Sequence, residues 1–156
     1  MIEETLKKSN LKMYSKEDMD KLSTENMIQY TALFYEAMLD NYADNELFAY
    51  FSKVFVYWIN RRKDDDYDKR SAYDMYLNFL NTTNHYAESY SICQRLIANN
   101  TFEDVVYSAL SDLGYVADGI FDMSAYLYYL KKRISICKDS DKKQELLEEF
   151  KCFNGK

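Results

Sequence analysis

The chain has 156 residues, no proline, only three glycines and a net charge of −6, and it carries 16 tyrosines, nine phenylalanines and one tryptophan. Scarcity of the turn-forming residues excludes an all-β sandwich or barrel, and Gly114, Gly119 and Gly155 form no glycine-rich phosphate loop. The acidity opposes non-specific nucleic-acid binding, which needs a basic footprint.

The first 14 residues carry mixed charge and weak periodicity, so a flexible or short helical arm is expected over 1–14. Ser15-Lys-Glu-Asp18 fits a capping box and predicts a short helix to about Leu22. Ser23 or Thr24 then caps a second helix, whose stripe is Met27, Tyr30, Phe34 and Met38. Asn41 to Asp44 form a break. The next helix, 45–62, is apolar nearly all round, which is the pattern of a central helix in a bundle.

Lys63 to Asp68 read as a solvated connector whose acids suit the start of the following helix. That helix should reach Leu80, and Asn81-Thr-Thr-Asn84 should be a loop ending in an N-cap. Tyr86, Tyr90, Cys93 and Ile97 stripe the next helix, and Asn99-Asn100 end it. Thr101-Phe-Glu-Asp104 is a second capping box, with Gly114 expected to close its helix. From Val116 to Cys137 the apolar residues recur at 4, 3, 4, 3 spacing, a heptad-like seam. A last helix carries Leu146, Leu147 and Phe150, and the tail from Asn154 should fray. The expectation is an all-α fold: a single compact bundle of about seven helices in one domain over 15–153, with a central apolar helix near 45–62.

No segment reads as a signal peptide or a membrane-spanning helix. Cys93, Cys137 and Cys152 are an odd number, widely spaced, and read as thiols of a reducing cytoplasm. His85 is the single histidine, and His85-Tyr-Ala-Glu88 is too little for a metal site or a catalytic constellation. The acids at 64–68 lack the glycine and the alternation of a calcium loop. No enzyme activity, metal or cofactor is expected.

Charge distribution is more informative. No Lys or Arg lies between Lys21 and Lys53, or between Arg95 and Lys131, whereas each stretch carries five acids and several tyrosines. The interface candidates are therefore Tyr35, Glu36, Asp40, Tyr42 and Asp44 in the first stretch. In the second they are Asp112, Tyr115, Asp118, Asp122, Tyr126 and Tyr129. Such a surface complements a basic protein groove, in which charge steers and aromatics anchor. The function that follows is a small acidic protein-binding module, an inhibitor that occupies a basic nucleic-acid-binding surface. The Asn, Lys, Tyr and Asp usage fits an AT-rich phage or mobile element, and hence an anti-defence (anti-CRISPR-like) or immunity protein. The alternative is a DNA-binding regulator using 104–133 as a helix-turn-helix, although Asp118 and Asp122 near its second helix start repel phosphate. The seam over 116–137 reads as an internal core stripe, with a homodimer contact as its alternative.

Overall fold

The computed structural model describes residues 2–116 and 123–154, with the side chains of 114–116 and 123 outside that description. Among the described residues the regular structure is all helix, with nine helices and no strand. The count exceeds seven partly because the first 14 residues supply a helix of their own. Contacts divide the chain into two compact units, Met1–Thr83 and Asn84–Lys156.

The first unit contains α1 (Ile2–Lys8), α2 (Lys16–Lys21), α3 (Thr24–Asp40), α4 (Asn45–Arg61) and α5 (Asp66–Thr82). The α1 helix ends in a Schellman turn: the Leu11 N–H reaches the Leu6 carbonyl at 2.7 Å, and the Asn10 N–H reaches that of Lys7 at 3.2 Å. Asn10 takes the left-handed backbone at φ 55°, which asparagine tolerates. Leu6 and Leu11 are buried, so the arm is docked. Ser15 and Ser23 cap α2 and α3 by accepting from the Asp18 and Asn26 N–H groups, each at 3.1 Å. Asp44 caps α4 by accepting from the Leu47 N–H at 2.9 Å.

Helix α4 is the centre of this unit. It packs on α2, α3 and α5 and buries Leu47, Phe51, Val54, Phe55, Trp58 and Ile59. It is not buried all round: Ala49, Lys53, Val56 and Asn60 form an exposed strip at helical spacing. Phe34 of α3 stacks on Phe51 with centroids 4.0 Å apart. Phe55 stacks on Tyr76 of α5 at 5.0 Å and meets Phe79 at 5.3 Å.

The connector acids are not all solvated. Asp65 is the N-cap of α5, accepting from the Asp68 N–H at 3.0 Å. Asp68, however, is wholly buried rather than solvated. Its Oδ1 accepts from Thr24 Oγ1 at 2.8 Å, Trp58 Nε1 at 3.0 Å and Arg61 Nη2 at 2.7 Å, while Oδ2 accepts from Arg61 Nε at 3.0 Å. Burial pushes this carboxyl up, but the bonds from Arg61, Trp58 and Thr24 outweigh it and hold the pKa below the usual value. The buried guanidinium also donates to the Met19 carbonyl, so one carboxylate joins α2, α3, α4 and α5. The loop expected over 81–84 is shorter than its sequence suggests. Helix α5 runs on to Thr82, Asn84 takes φ 63°, and His85 rather than Asn84 occupies the next N-cap position.

The second unit contains α6 (Tyr86–Ala98), α7 (Glu103–Val116), α8 (Met123–Ile136) and α9 (Ser140–Asn154). Helix α6 ends in another Schellman turn, with Asn100 at φ 50° and the Thr101 N–H on the Leu96 carbonyl at 2.9 Å. Its buried residues are Ser89, Ile92, Cys93 and Leu96. The inward stripe is thus one position off the expected one, and Tyr90 faces outward at 51% exposure. Burial pushes the Cys93 thiol up to about 12. Thr101 turns its hydroxyl to the Asn99 carbonyl, and α7 begins only at Glu103. Gly114 does not stop α7, which continues to Val116. A helical glycine costs only about 1 kcal/mol relative to alanine, and the α7 stripe of Val106, Ala109, Leu110 and Leu113 is buried just before it. From Leu127 onward the seam faces inward: Leu130 and Ile134 are buried with Tyr126 and Leu146, and Leu127 and Cys137 pack against them. Gly119, Ile120 and Gly155 lie outside the described residues.

Candidate functional site

Helix α3 has two faces with different tasks. Met27, Tyr30, Phe34, Ala37 and Met38 are buried. Opposite them, Asn26, Gln29, Leu33, Glu36, Leu39 and Asp40 are all exposed. Gln29, Leu33, Glu36 and Asp40 follow at spacings of 4, 3 and 4, which keeps them on one side of the helix. Leu39 is 73% exposed, Tyr42 just beyond the helix is 49% exposed, and Leu33 is 39% exposed. The result is a strip of two leucines and a tyrosine set among acids, in a stretch with no Lys or Arg from Leu22 to Ser52.

The acids of this stretch divide by role. Asp44 is consumed as the α4 cap. Glu25 accepts from the Tyr67 hydroxyl at 3.1 Å. Glu36 and Asp40 are exposed and make no ion pair or hydrogen bond among the described residues, so their charge faces water. Of the tyrosines, Tyr35 is partly buried: its hydroxyl donates to the Met75 carbonyl at 2.8 Å, and its ring meets Phe79 at 5.8 Å. Burial, then the nearby Asp74 charge, raises its pKa. Tyr35 therefore fastens α3 to α5, leaving Tyr42 as the aromatic on the outside.

In the second unit, Asp112 is exposed on α7. The side chain of Tyr115, and the whole of Asp118 and Asp122, lie outside the described residues. Tyr126 sits in the α8–α9 core, where its hydroxyl donates to Glu149. Tyr129 is half-buried, its phenol raised in pKa by burial and then by the nearby Tyr90, Tyr128, Cys93 and Tyr107. Tyr128 meets Tyr129 edge-on at 5.1 Å, and the Lys132 ammonium lies 5.6 Å from the Tyr128 centroid. This tyrosine group has a lysine at its edge and differs in character from the α3 strip. The α7–α8 pair has Glu103 and Asp104 in its first turn, which is unfavourable for a phosphate contact.

Leu33 and Leu39 were not among the residues singled out in the sequence. The usable signal was that both leucines fall off the stripe set by Met27, Tyr30, Phe34 and Met38. Among the described residues no group of three or more His, Cys, Asp and Glu could hold a metal ion, and no helix is long and apolar enough to cross a membrane. Comparison with family models, with curated proteins and with solved structures finds no match.

Proposed function

We propose that this chain is a small acidic protein-binding module, an inhibitor that covers a basic, nucleic-acid-handling surface of its target with the outer face of α3. The observation that carries this reading is the strip Leu33, Glu36, Leu39, Asp40 and Tyr42, apolar groups exposed between uncompensated carboxylates. A single exposed leucine is ordinary. Two leucines and a tyrosine beside two solvent-facing acids make an anchor surrounded by steering charge. The carboxylates stand where phosphates of a nucleic acid stand on such a target. Composition supports an origin in an AT-rich phage or mobile element, and the three free thiols suit a reducing cytoplasm. Helix α4, Tyr35 and the Asp68 hub fasten α3 in place, and a surface ordered before binding has less ordering cost to meet.

The reading is tested on a double variant, Glu36→Lys with Asp40→Lys, and separately on Leu39→Ser. All three positions are exposed, so stability should change by no more than about 0.5 kcal/mol each. In pull-downs from the organism that encodes the chain, the charge variant is expected to lose the partner and Leu39→Ser to weaken it about tenfold or more. Reversal of Asp112 on α7 serves as the control and is expected to retain the partner. Retention by the charge variant rules the α3 strip out as the interface.

A further inference from the structure

A cleft of about 310 Å³ lies beside the first half of α3, lined by Asn10, Leu11, Lys12, Tyr14, Leu22, Asn26, Gln29, Tyr30 and Leu33. The Schellman turn at Asn10 leads into Leu11 and Lys12, which line the cleft beside α3. Leu11 and Tyr30 are buried and give the cleft an apolar base. The Tyr14 ring stands edge-on to Tyr30, with centroids 4.7 Å apart, and the Tyr30 hydroxyl is occupied by Tyr50 at 3.4 Å and by the Tyr14 N–H at 3.5 Å. The Lys12 ammonium lies 5.4 Å from the Tyr14 centroid.

The charge of this cleft is opposite to that of the chain. The protein has 26 acids against 20 bases, yet no acid lines the cleft and one lysine does. Its remaining polar groups are three carboxamides, on Asn10, Asn26 and Gln29, and none of these amides is used by a hydrogen bond among the described residues. A carboxamide offers a donor and an acceptor side by side, which matches the edge of a heteroaromatic base. An aromatic ring provides a stacking platform for such a base. An ammonium is a point-charge partner for phosphate. The volume stands at the small end of the range for ligand pockets, roughly 300–1,000 Å³, enough for one nucleotide unit and no more.

From this juxtaposition we infer that the cleft binds a nucleoside monophosphate, with the Lys12 ammonium on the phosphate, the carboxamides of Asn26 and Gln29 on the base edge and Tyr14 beside the base. This inference does not rest on the protein-binding role of the acidic half of α3.

The test is isothermal titration of the full chain with AMP, GMP, CMP and UMP, and with the four matching nucleosides and inorganic phosphate as part-ligands. At least one monophosphate is expected to bind saturably at one site, more tightly than either part-ligand. Lys12→Ala is expected to weaken that nucleotide about tenfold or more, as loss of a charge-assisted bond does. Asn26→Ala with Gln29→Ala should weaken both the nucleotide and its nucleoside. Lys12, Asn26 and Gln29 are exposed, and circular dichroism checks that each variant is folded. Three results overturn the inference: no monophosphate saturating at millimolar concentration, unchanged affinity in Lys12→Ala, or inorganic phosphate binding as well as the nucleotides.

Discussion

Replacing Asp68 by alanine is expected to destabilise the Met1–Thr83 unit by about 3–5 kcal/mol, the range for breaking a buried ion pair. The cause is the charge left behind. The Arg61 side chain is wholly buried, and it gives two of the four hydrogen bonds that Asp68 accepts. Without the carboxylate, the guanidinium keeps only the Met19 carbonyl, and Thr24 Oγ1 and Trp58 Nε1 lose their acceptor. Asp68→Asn separates charge from shape: it retains an acceptor for Thr24 and Trp58 and still leaves Arg61 uncompensated. Replacing Arg61 and Asp68 together by apolar residues should cost less than Asp68→Ala alone, since buried pairs exchanged for packed apolar groups are often neutral. Urea unfolding followed by the fluorescence of Trp58, the one tryptophan, reads this unit directly.

The same pair sets a pH dependence. Asp68 has a folded pKa below its ordinary value of 3.8. Its contribution is therefore complete above that value and is lost as pH falls from there through the lower folded pKa. Wild-type stability should drop over this acid interval by more than that of Asp68→Asn, whose side chain does not titrate.

Phe55→Ala is expected to cost about 3–5 kcal/mol, the range for deleting a buried ring. Phe55 is fully buried at the point where α3, α4 and α5 meet. It lies against Phe34 at 5.7 Å, Tyr76 at 5.0 Å and Phe79 at 5.3 Å. Those rings are themselves packed, so the space cannot close without moving a helix. The adjacent Val56 is 48% exposed, and Val56→Ala should change stability by no more than about 0.5 kcal/mol. The contrast between neighbours tests the helix register as well as the core.

Local features of the fold were legible in the chain. Ser15 and Ser23 cap the helices they precede because a short polar side chain before an apolar stripe has few other uses. The apolar stripes of α3 and α4 gave the core for the same reason. What could not be read depended on distant partners. Asp68 looks like one more connector acid, and its burial requires Thr24, 44 residues away, together with Trp58 and Arg61. Tyr126 looks like a residue beside the seam until α9 brings Glu149 and Phe153 to it. Gly114 has the chemistry of a helix stop, yet α7 runs past it. The base-free acidic stretch was visible as a pattern of charge. Which acids are without a partner was not, because Asp44 serves as a cap and Glu25 accepts from Tyr67, which leaves Glu36 and Asp40 as the acids of α3 with no hydrogen bond or ion pair among the described residues.

If these two carboxylates and the leucines beside them occupy a site where a partner holds nucleic acid, the nucleic acid and this chain must exclude one another. The most direct measurement is displacement. A partner captured on the immobilised chain is challenged with single-stranded DNA at constant ionic strength, which separates competition from salt screening. DNA is expected to release the partner in proportion to its concentration, and Glu36→Lys with Asp40→Lys is expected to capture none. A partner that stays bound under excess DNA, or that binds the charge variant equally well, contradicts it.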